Sequence, residues 1–254
     1  MSTFKDHFSK VAGAYRAFRP GYPPELFTWL AGSVERHDAA LDCGCGNGQA
    51  SVALAEHFSS VVAVDPGEEQ IRHAQTHPRV VYRVAPAERT GLPDHSFDLV
   101  TAAQALHWFD FDRFYPEVRR VARAKAVFAA FTYGLIEVDD RVDTVIGTLY
   151  GEILHGFWPR ERAHVDAGYR SLPFPFEEAE APAFAMQLSW SFEQLMGYLA
   201  TWSGVNAYRR RTGEDPLVKI GPALEAAWGP RQVGRAVRWP ITLRAGRVDE
   251  EGAA

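Results

Sequence analysis

The chain has 254 residues, 46% of them hydrophobic and 23% charged, with a formal net charge of -5. This length suits one large domain or a core with an elaborated cap, and the composition is that of an ordinary globular protein. The acidic balance argues against broad nucleic-acid binding, and no apolar run reaches membrane-spanning length.

The opening residues, Met1 to His7, lack the apolar core of a signal peptide, so a cytoplasmic address is expected. Residues from about Asp6 to Phe18 read as a helix with Phe8, Val11, Ala12 and Tyr15 on one face. The stretch Arg19-Pro20-Gly21-Tyr22-Pro23-Pro24 breaks it, and a second helix starts at Pro24 or Glu25. An alternation follows: strand Ala39 to Asp42, helix Gln49 to Phe58, strand Val61 to Asp65, helix Glu68 to Gln75, strand Val80 to Val84. A loop then leads to strand Phe97 to Ala102, a helix near Phe111 to Ala124 and strand Ala126 to Tyr133. Strands separated by helices of this length predict an α/β fold with a doubly wound, mainly parallel sheet.

After Gly134 the rhythm changes. Residues Arg141 to His155 and Ser191 to Ser203 read as helices around a Pro-rich stretch, Pro173 to Pro182. Phe184 to Trp190 and Val237 to Val248 have strand character, and Pro240 suits an edge or a bulge better than a central position. The last residues, Asp249 to Ala254, read as a frayed tail. Tryptophan and phenylalanine, 7 and 16 in number, include many in this half. They suit either a pocket wall or a core, and Trp158 and Trp228 are expected to present exposed faces.

The chemistry concentrates in Ala40-Leu41-Asp42-Cys43-Gly44-Cys45-Gly46-Asn47-Gly48, where an apolar run ends in an acid and three glycines alternate. Asp65 ends the next apolar run. Strand, glycine turn, helix and a second strand ending in a carboxylate make half of a nucleoside site, the acid suiting the paired hydroxyls of a ribose. A dinucleotide-binding turn places its third glycine one residue later, and this chain lacks a second mononucleotide half, so a single nucleoside is favoured. Cys43 and Cys45 have no further ligands at metal-binding spacing and read as reduced, small apolar fillers. No Gly-x-Ser-x-Gly elbow, His-Glu-x-x-His pair or phosphate loop is found.

On these residues the sequence resembles the class I S-adenosylmethionine-dependent methyltransferases. Ala87-Glu88 with Leu92-Pro93, then Ser96-Phe97-Asp98-Leu99-Val100, extends the likeness. Ala103-Gln104-Ala105-Leu106-His107-Trp108-Phe109-Asp110 narrows it to the methyltransferase type 11 group, similar to trans-aconitate methyltransferases and related small-molecule enzymes. That branch also carries patterns like Phe8, Tyr15, Arg19-Pro20, Tyr22-Pro23 and Tyr198-Leu199, Thr201-Trp202-Ser203, Tyr208 here.

The resemblance implies a Rossmann-like seven-stranded sheet. An N-terminal helical lid (1–36) and a nucleoside-binding core (37–134) come first. A mostly helical substrate cap (135–232), with an edge strand near 184–190, and a last strand with the tail (233–254) follow. S-adenosylmethionine is the implied cofactor, held by Asp42, Gly44, Cys45, Gly46, Asp65, Pro66, Ala103 and Gln104, with Tyr15 and Arg19 acting from the lid. Adenine contacts fall to the Ala87 amide and Glu88; many members carry an aspartate before that alanine, where this chain has Pro86. Arg19 can hold the cofactor's carboxylate by two parallel hydrogen bonds.

Tyr22, His107, Trp108, Trp202 and Arg209 are expected at the substrate, with His107 and Tyr133 as candidate bases for a hydroxyl acceptor. A carboxylate acceptor, already ionised, needs no base and leans on arginine. The implied function is methyl transfer to a small molecule by in-line displacement, with no metal, membrane or nucleic-acid partner, in a monomer or homodimer. A nicotinamide-dependent oxidoreductase using Asp65 on its ribose, and a non-catalytic S-adenosylmethionine-binding protein, are the alternatives.

Overall fold

The structure, a computed structural model, describes residues 20–248. The helix expected over Asp6 to Phe18 and the tail from Asp249 lie outside the described residues. The chain divides into two compact units. One holds Gly21–Gly134, Ala163–Phe184 and the chain from Ile241, the other Leu135–Arg162 and Ala185–Pro240.

The first unit carries α1 (Pro24–Gly32), β1 (Ala39–Cys43), α2 (Gln49–Leu54), β2 (Ser60–Asp65), α3 (Glu68–Arg72), β3 (Val80–Val84), β4 (Phe97–Ala103), α4 (Phe111–Val121) and β5 (Ala122–Tyr133). Two short elements follow, α6 (Arg162–Asp166) and β6 (Glu177–Glu178). The last strand, β8 (Arg235–Arg247), enters this unit at Ile241 and completes a sheet of order β3-β2-β1-β4-β5-β8-β6. The first five strands run parallel and β8 is antiparallel to both β5 and β6. Order reverses at β1, which pairs with β2 on one side and β4 on the other. In open α/β sheets that switch point, beyond the carboxyl ends of the strands, is where ligands bind.

Strands β1 and β4 are buried almost throughout, as expected of parallel strands covered on both faces. Phe114, Tyr115, Val118 and Val121 of α4 pack with Val100, Phe128 and Ala130 in one continuous core. The expected helix to Ala124 ends at Val121 because the chain joins the sheet at Ala122, opposite Phe97. A bulge with Lys125 at φ +66° then restores the pairing of Leu99 with Val127. The expected helix to Gln75 also stops early, at Arg72, because the Gln75 amide donates to the Asn47 carbonyl at 2.9 Å.

The second unit carries α5 (Asp140–Thr148), a π-helical turn (Leu149–Ile153), β7 (Phe184–Trp190), α7 (Phe192–Ala200), α8 (Ser203–Thr212) and α9 (Pro216–Trp228). The abundant aromatics make its core: Trp239 is fully buried, donates its indole N–H to Tyr198 Oη at 3.0 Å and packs edge-on against Trp190. Trp228 corrects the expectation of an exposed face, whereas Trp158 is half-buried. Trp158 stacks on Tyr150 over Gly204, where a Cβ would come within 2.9 Å of its ring, and Trp228 is buried against Phe192. Strand β8 has neighbours on both sides, yet Pro240 sits where register slips. The pairing of Tyr133 with Ile241 gives way to that of Glu137 with Arg238, so four steps on one chain face three on the other. No regular ladder position there needs the N–H that proline lacks. Among the described residues no helix is long and apolar enough to cross a membrane.

Candidate active site

The glycine turn and its surroundings lie in the first unit. Pairing of Cys43 with Val64 brings the ends of β1 and β2 level, so the turn emerges beside Asp65. The Gly44 and Cys45 amides both donate to the Val64 carbonyl, at 2.8 and 3.0 Å, and Gly48 donates to the Cys45 carbonyl at 2.9 Å. Gly46 donates to Asp65 Oδ2 at 2.9 Å. Four turn amides therefore point inward. These bonds fix the shape of the turn against the end of β2.

Two of the three glycines answer to the protein itself. Gly44 has φ +69°, and a Cβ there would lie 2.6 Å from Ala105 Cβ and 3.1 Å from Phe109. Gly48, at φ +84°, lies against the ring and hydroxyl of Tyr82, which donates to the Gln75 carbonyl at 2.7 Å. Beside Gly46, among the described residues, nothing lies within 4 Å of where its Cβ would be.

Asp65 meets the requirements of a ribose site. Its Oδ1 accepts from Gly67 at 2.7 Å and its Oδ2 from Gly46, which orients the carboxylate and leaves each oxygen a further lone pair. Burial raises its pKa, while the two amide bonds oppose that rise. Pro66 is exposed next to it. Asp42, by contrast, is fully buried beneath the turn, accepting from Ser51 Oγ at 2.6 Å and Thr101 Oγ1 at 3.1 Å. It braces the turn from behind and presents nothing to a ligand directly. Cys45 is also turned in, its Sγ donating to the Gly46 carbonyl at 3.7 Å.

Ala87 is buried in the core, and Glu88 accepts from the Asp110 amide at 3.0 Å, tying the loop after β3 to the start of α4. At the end of β4, Ala103 is half-buried and Gln104 adopts φ +55°, unusual for a residue with a side chain. Its carboxamide accepts from Thr132 Oγ1 at 2.7 Å and donates to the Tyr133 carbonyl at 3.3 Å. Tyr133 meets the Tyr22 ring, which also packs edge-on against Phe131 at 5.1 Å between centroids. His107 and Trp108 follow on a 3-10 turn (Leu106–Trp108), their rings 4.9 Å apart.

The sheet unit thus gathers Asp65, Gly46, Gln104, His107, Trp108, Tyr22 and Tyr133 from the expected set. Trp202 and Arg209 belong to the second unit. Trp202 is buried among Tyr150, Trp158 and Tyr198, and Arg209 is paired with Asp215 at 2.7 Å, so its guanidinium already has an anion. Tyr15 and Arg19 lie outside the described residues. Sequence reasoning missed Ser51, Thr101, Tyr82 and Tyr169. Of these only Ser51 left a signal, a hydroxyl in the first turn of the helix after the glycines.

The sheet order, the inward-facing turn and the carboxylate at the end of β2 define a Rossmann-like nucleoside-binding enzyme core. Residues 41–130 match the family described as methyltransferase domain. A Dictyostelium discoideum protein bearing a methyltransferase name is 33% identical over 89% of this chain and 87% of its own. A solved structure from Anaeromyxobacter dehalogenans, named as a type II methyltransferase, has 59% identity and a TM-score of 0.87, covering 91% of this chain and 98% of that one. A Herminiimonas arsenicoxydans relative, named malonyl-[acyl-carrier protein] O-methyltransferase, is 30% identical over half of each chain. The chain belongs to the methyltransferase family. It is a class I S-adenosylmethionine-dependent methyltransferase, and the nicotinamide reading is set aside.

Proposed function

We propose that this methyltransferase serves a small-molecule acceptor, bound where the ends of β4 and β5 meet the turn carrying His107. The observation that carries this reading is the wall there: Tyr22, Phe131 and Tyr133 pack edge to face, and the rings of His107 and Trp108 pack together at a tilt nearby. Tyr22 and His107 are half-buried and Trp108 is exposed, with Phe131 and Tyr133 buried behind them, and such rings suit a compact, partly apolar body that can be surrounded and dried. S-adenosylmethionine supplies an activated methyl on a sulfonium. Asp65 would orient its ribose, with the Ala87 amide and the remaining oxygen of Glu88 at its base. Gln104, locked to β5, would border the methyl end. The remaining task of these residues is to line the acceptor up with the methyl for in-line displacement and to exclude water. Such positioning accounts for about 7–11 kcal/mol of barrier at most.

A carboxylate acceptor is the second reading. One relative's name, specifying O-methylation of a malonyl group, favours it. Titration calorimetry with S-adenosylmethionine and S-adenosylhomocysteine tests the cofactor site, with NADH as the control. Transfer of a tritiated methyl to a panel of phenols, alcohols, carboxylic acids and amines tests the acceptor. Cofactor heats with transfer to one acceptor class are expected; tight binding with no transfer across the panel would favour a non-catalytic binding protein.

A further inference from the structure

We infer that Tyr169 is a positioning residue for His107, and that the pair serves an acceptor arriving as a protonated hydroxyl, an alcohol or a phenol. This rests on the methyl-transfer reading above. His107 Nδ1 lies 2.9 Å from Tyr169 Oη, with the rings 5.7 Å apart and tilted by 41°. His107 is placed beside the cofactor turn: it lies between Ala105 and Phe109, the two residues that press on Gly44.

Tyr169 is fully buried and has φ +60°, directly after Gly168 at φ +58°. A bulky residue takes that conformation at a cost and keeps it only where its surroundings impose it. Those surroundings are built. The Tyr169 amide donates to the His164 carbonyl at 2.8 Å. Its carbonyl accepts from Arg244 Nη1 at 2.9 Å, and the same nitrogen holds the Leu172 carbonyl at 2.9 Å. Arg244 is in turn paired with Glu178 and lies over the Phe174 ring. The ring belongs to the continuous core, and the hydroxyl at its end is the part that reaches the His107 nitrogen.

With Nδ1 tied to Oη, the proton that His107 takes is taken at Nε2, and the tautomer that leaves Nε2 basic is the one whose Nδ1–H donates to Tyr169. A carboxylate gives this pair no task. A hydroxyl does, since a phenol ionises near pH 10 and an alcohol higher. As the acceptor oxygen bonds to the methyl carbon, sulfur keeps the electron pair of the bond that breaks, and the hydroxyl proton passes to Nε2.

Long-range nitrogen–proton spectra of uniformly 15N-labelled protein read the tautomer directly. Wild type is expected to show His107 protonated at Nδ1 and not at Nε2, and Tyr169→Phe to show a mixture. The opposite tautomer in wild type, or an unchanged spectrum in the variant, overturns the inference. The wild-type spectrum decides on its own should the variant not fold. With the best hydroxyl acceptor of the panel, Tyr169→Phe should lower kcat at least tenfold with KM changed less than threefold and S-adenosylmethionine affinity kept. Transfer to carboxylic acids alone, or to no hydroxyl, also overturns it. Absence of cofactor binding in wild type would instead sink the methyl-transfer reading, which the tautomer does not measure.

Discussion

Gly46 and Asp65 stand 19 residues apart and meet through one hydrogen bond, the Gly46 amide donating to Oδ2 at 2.9 Å. That contact couples the turn after β1 to the carboxylate ending β2, so the shape of the turn and the aim of the acid are set together. Gly67 holds the other oxygen. The acid is therefore already oriented for the ribose contact proposed above, which would lower the ordering cost of binding.

Asp65→Asn tests this. The amide keeps one acceptor oxygen, turns a donor toward Gly46 or Gly67, and loses the charge. Hydrogen bonds to charged groups contribute about 1.5–3 kcal/mol, so the Kd for S-adenosylmethionine should rise roughly 10- to 100-fold by calorimetry. An unchanged Kd in a variant that melts normally would remove Asp65 from the ribose.

Gly48→Ala should destabilise the turn. The new methyl would meet the Tyr82 hydroxyl and come within 2.8 Å of its Cζ, at a φ of +84° that alanine resists. Strain and overpacking together cost about 2–4 kcal/mol, or several degrees in Tm for a chain of this size. Adding Tyr82→Phe should recover only part, because the ring carbon and the φ remain. Full recovery would show that the hydroxyl alone sets the requirement for glycine.

Asp42 should make stability fall as pH rises. Burial lifts its pKa from 3.8 to about 6, against the hydroxyl bonds from Ser51 and Thr101, and the nearby Asp65 adds to the rise. The folded state then holds its proton more tightly than the unfolded chain. The stabilisation is complete below about pH 4 and is lost as pH climbs through 6, about 3 kcal/mol in all. Denaturant titrations from pH 4.5 to 7.5 should find Asp42→Asn gaining on wild type as pH increases. Parallel profiles would contradict the buried, proton-linked carboxyl.

The two thiols should be inert in the folded protein. Cys43 and Cys45 are buried, and burial pushes both well above the ordinary thiol range. Alkylation goes through the thiolate. Iodoacetamide at pH 8 should leave the native mass unchanged over a time in which denatured protein gains two adducts. Rapid native labelling at either position would mean that the turn opens.

The parts of the site that could be read in advance were the local ones. Alternating glycines, an acid at a strand end and the strand–helix rhythm are properties of short segments, because backbone conformation and periodic burial depend on near neighbours. The parts that escaped are contacts across the chain. Tyr169 reaches His107 over 62 positions and Thr101 reaches Asp42 over 59. Arg209 escaped differently: it was expected at the substrate, but Asp215, the cap residue of α9, lies only six positions away and pairs with it.

The amino-acid order by itself determined that there would be a parallel sheet, a glycine turn and a carboxylate at the end of its second strand. Hydrophobic spacing and left-handed backbone demands act over a few residues, and they are written where they act. Only the tertiary structure decided which acid is held by side-chain hydroxyls beneath the turn and which by backbone amides at the strand end, since Asp42 and Asp65 both end apolar runs. Register made the difference. Pairing β1 with β4 sets Asp42 opposite Thr101 inside the sheet, where two hydroxyls hold it, whereas Asp65, at the end of β2, is held by the backbone amides of Gly46 and Gly67.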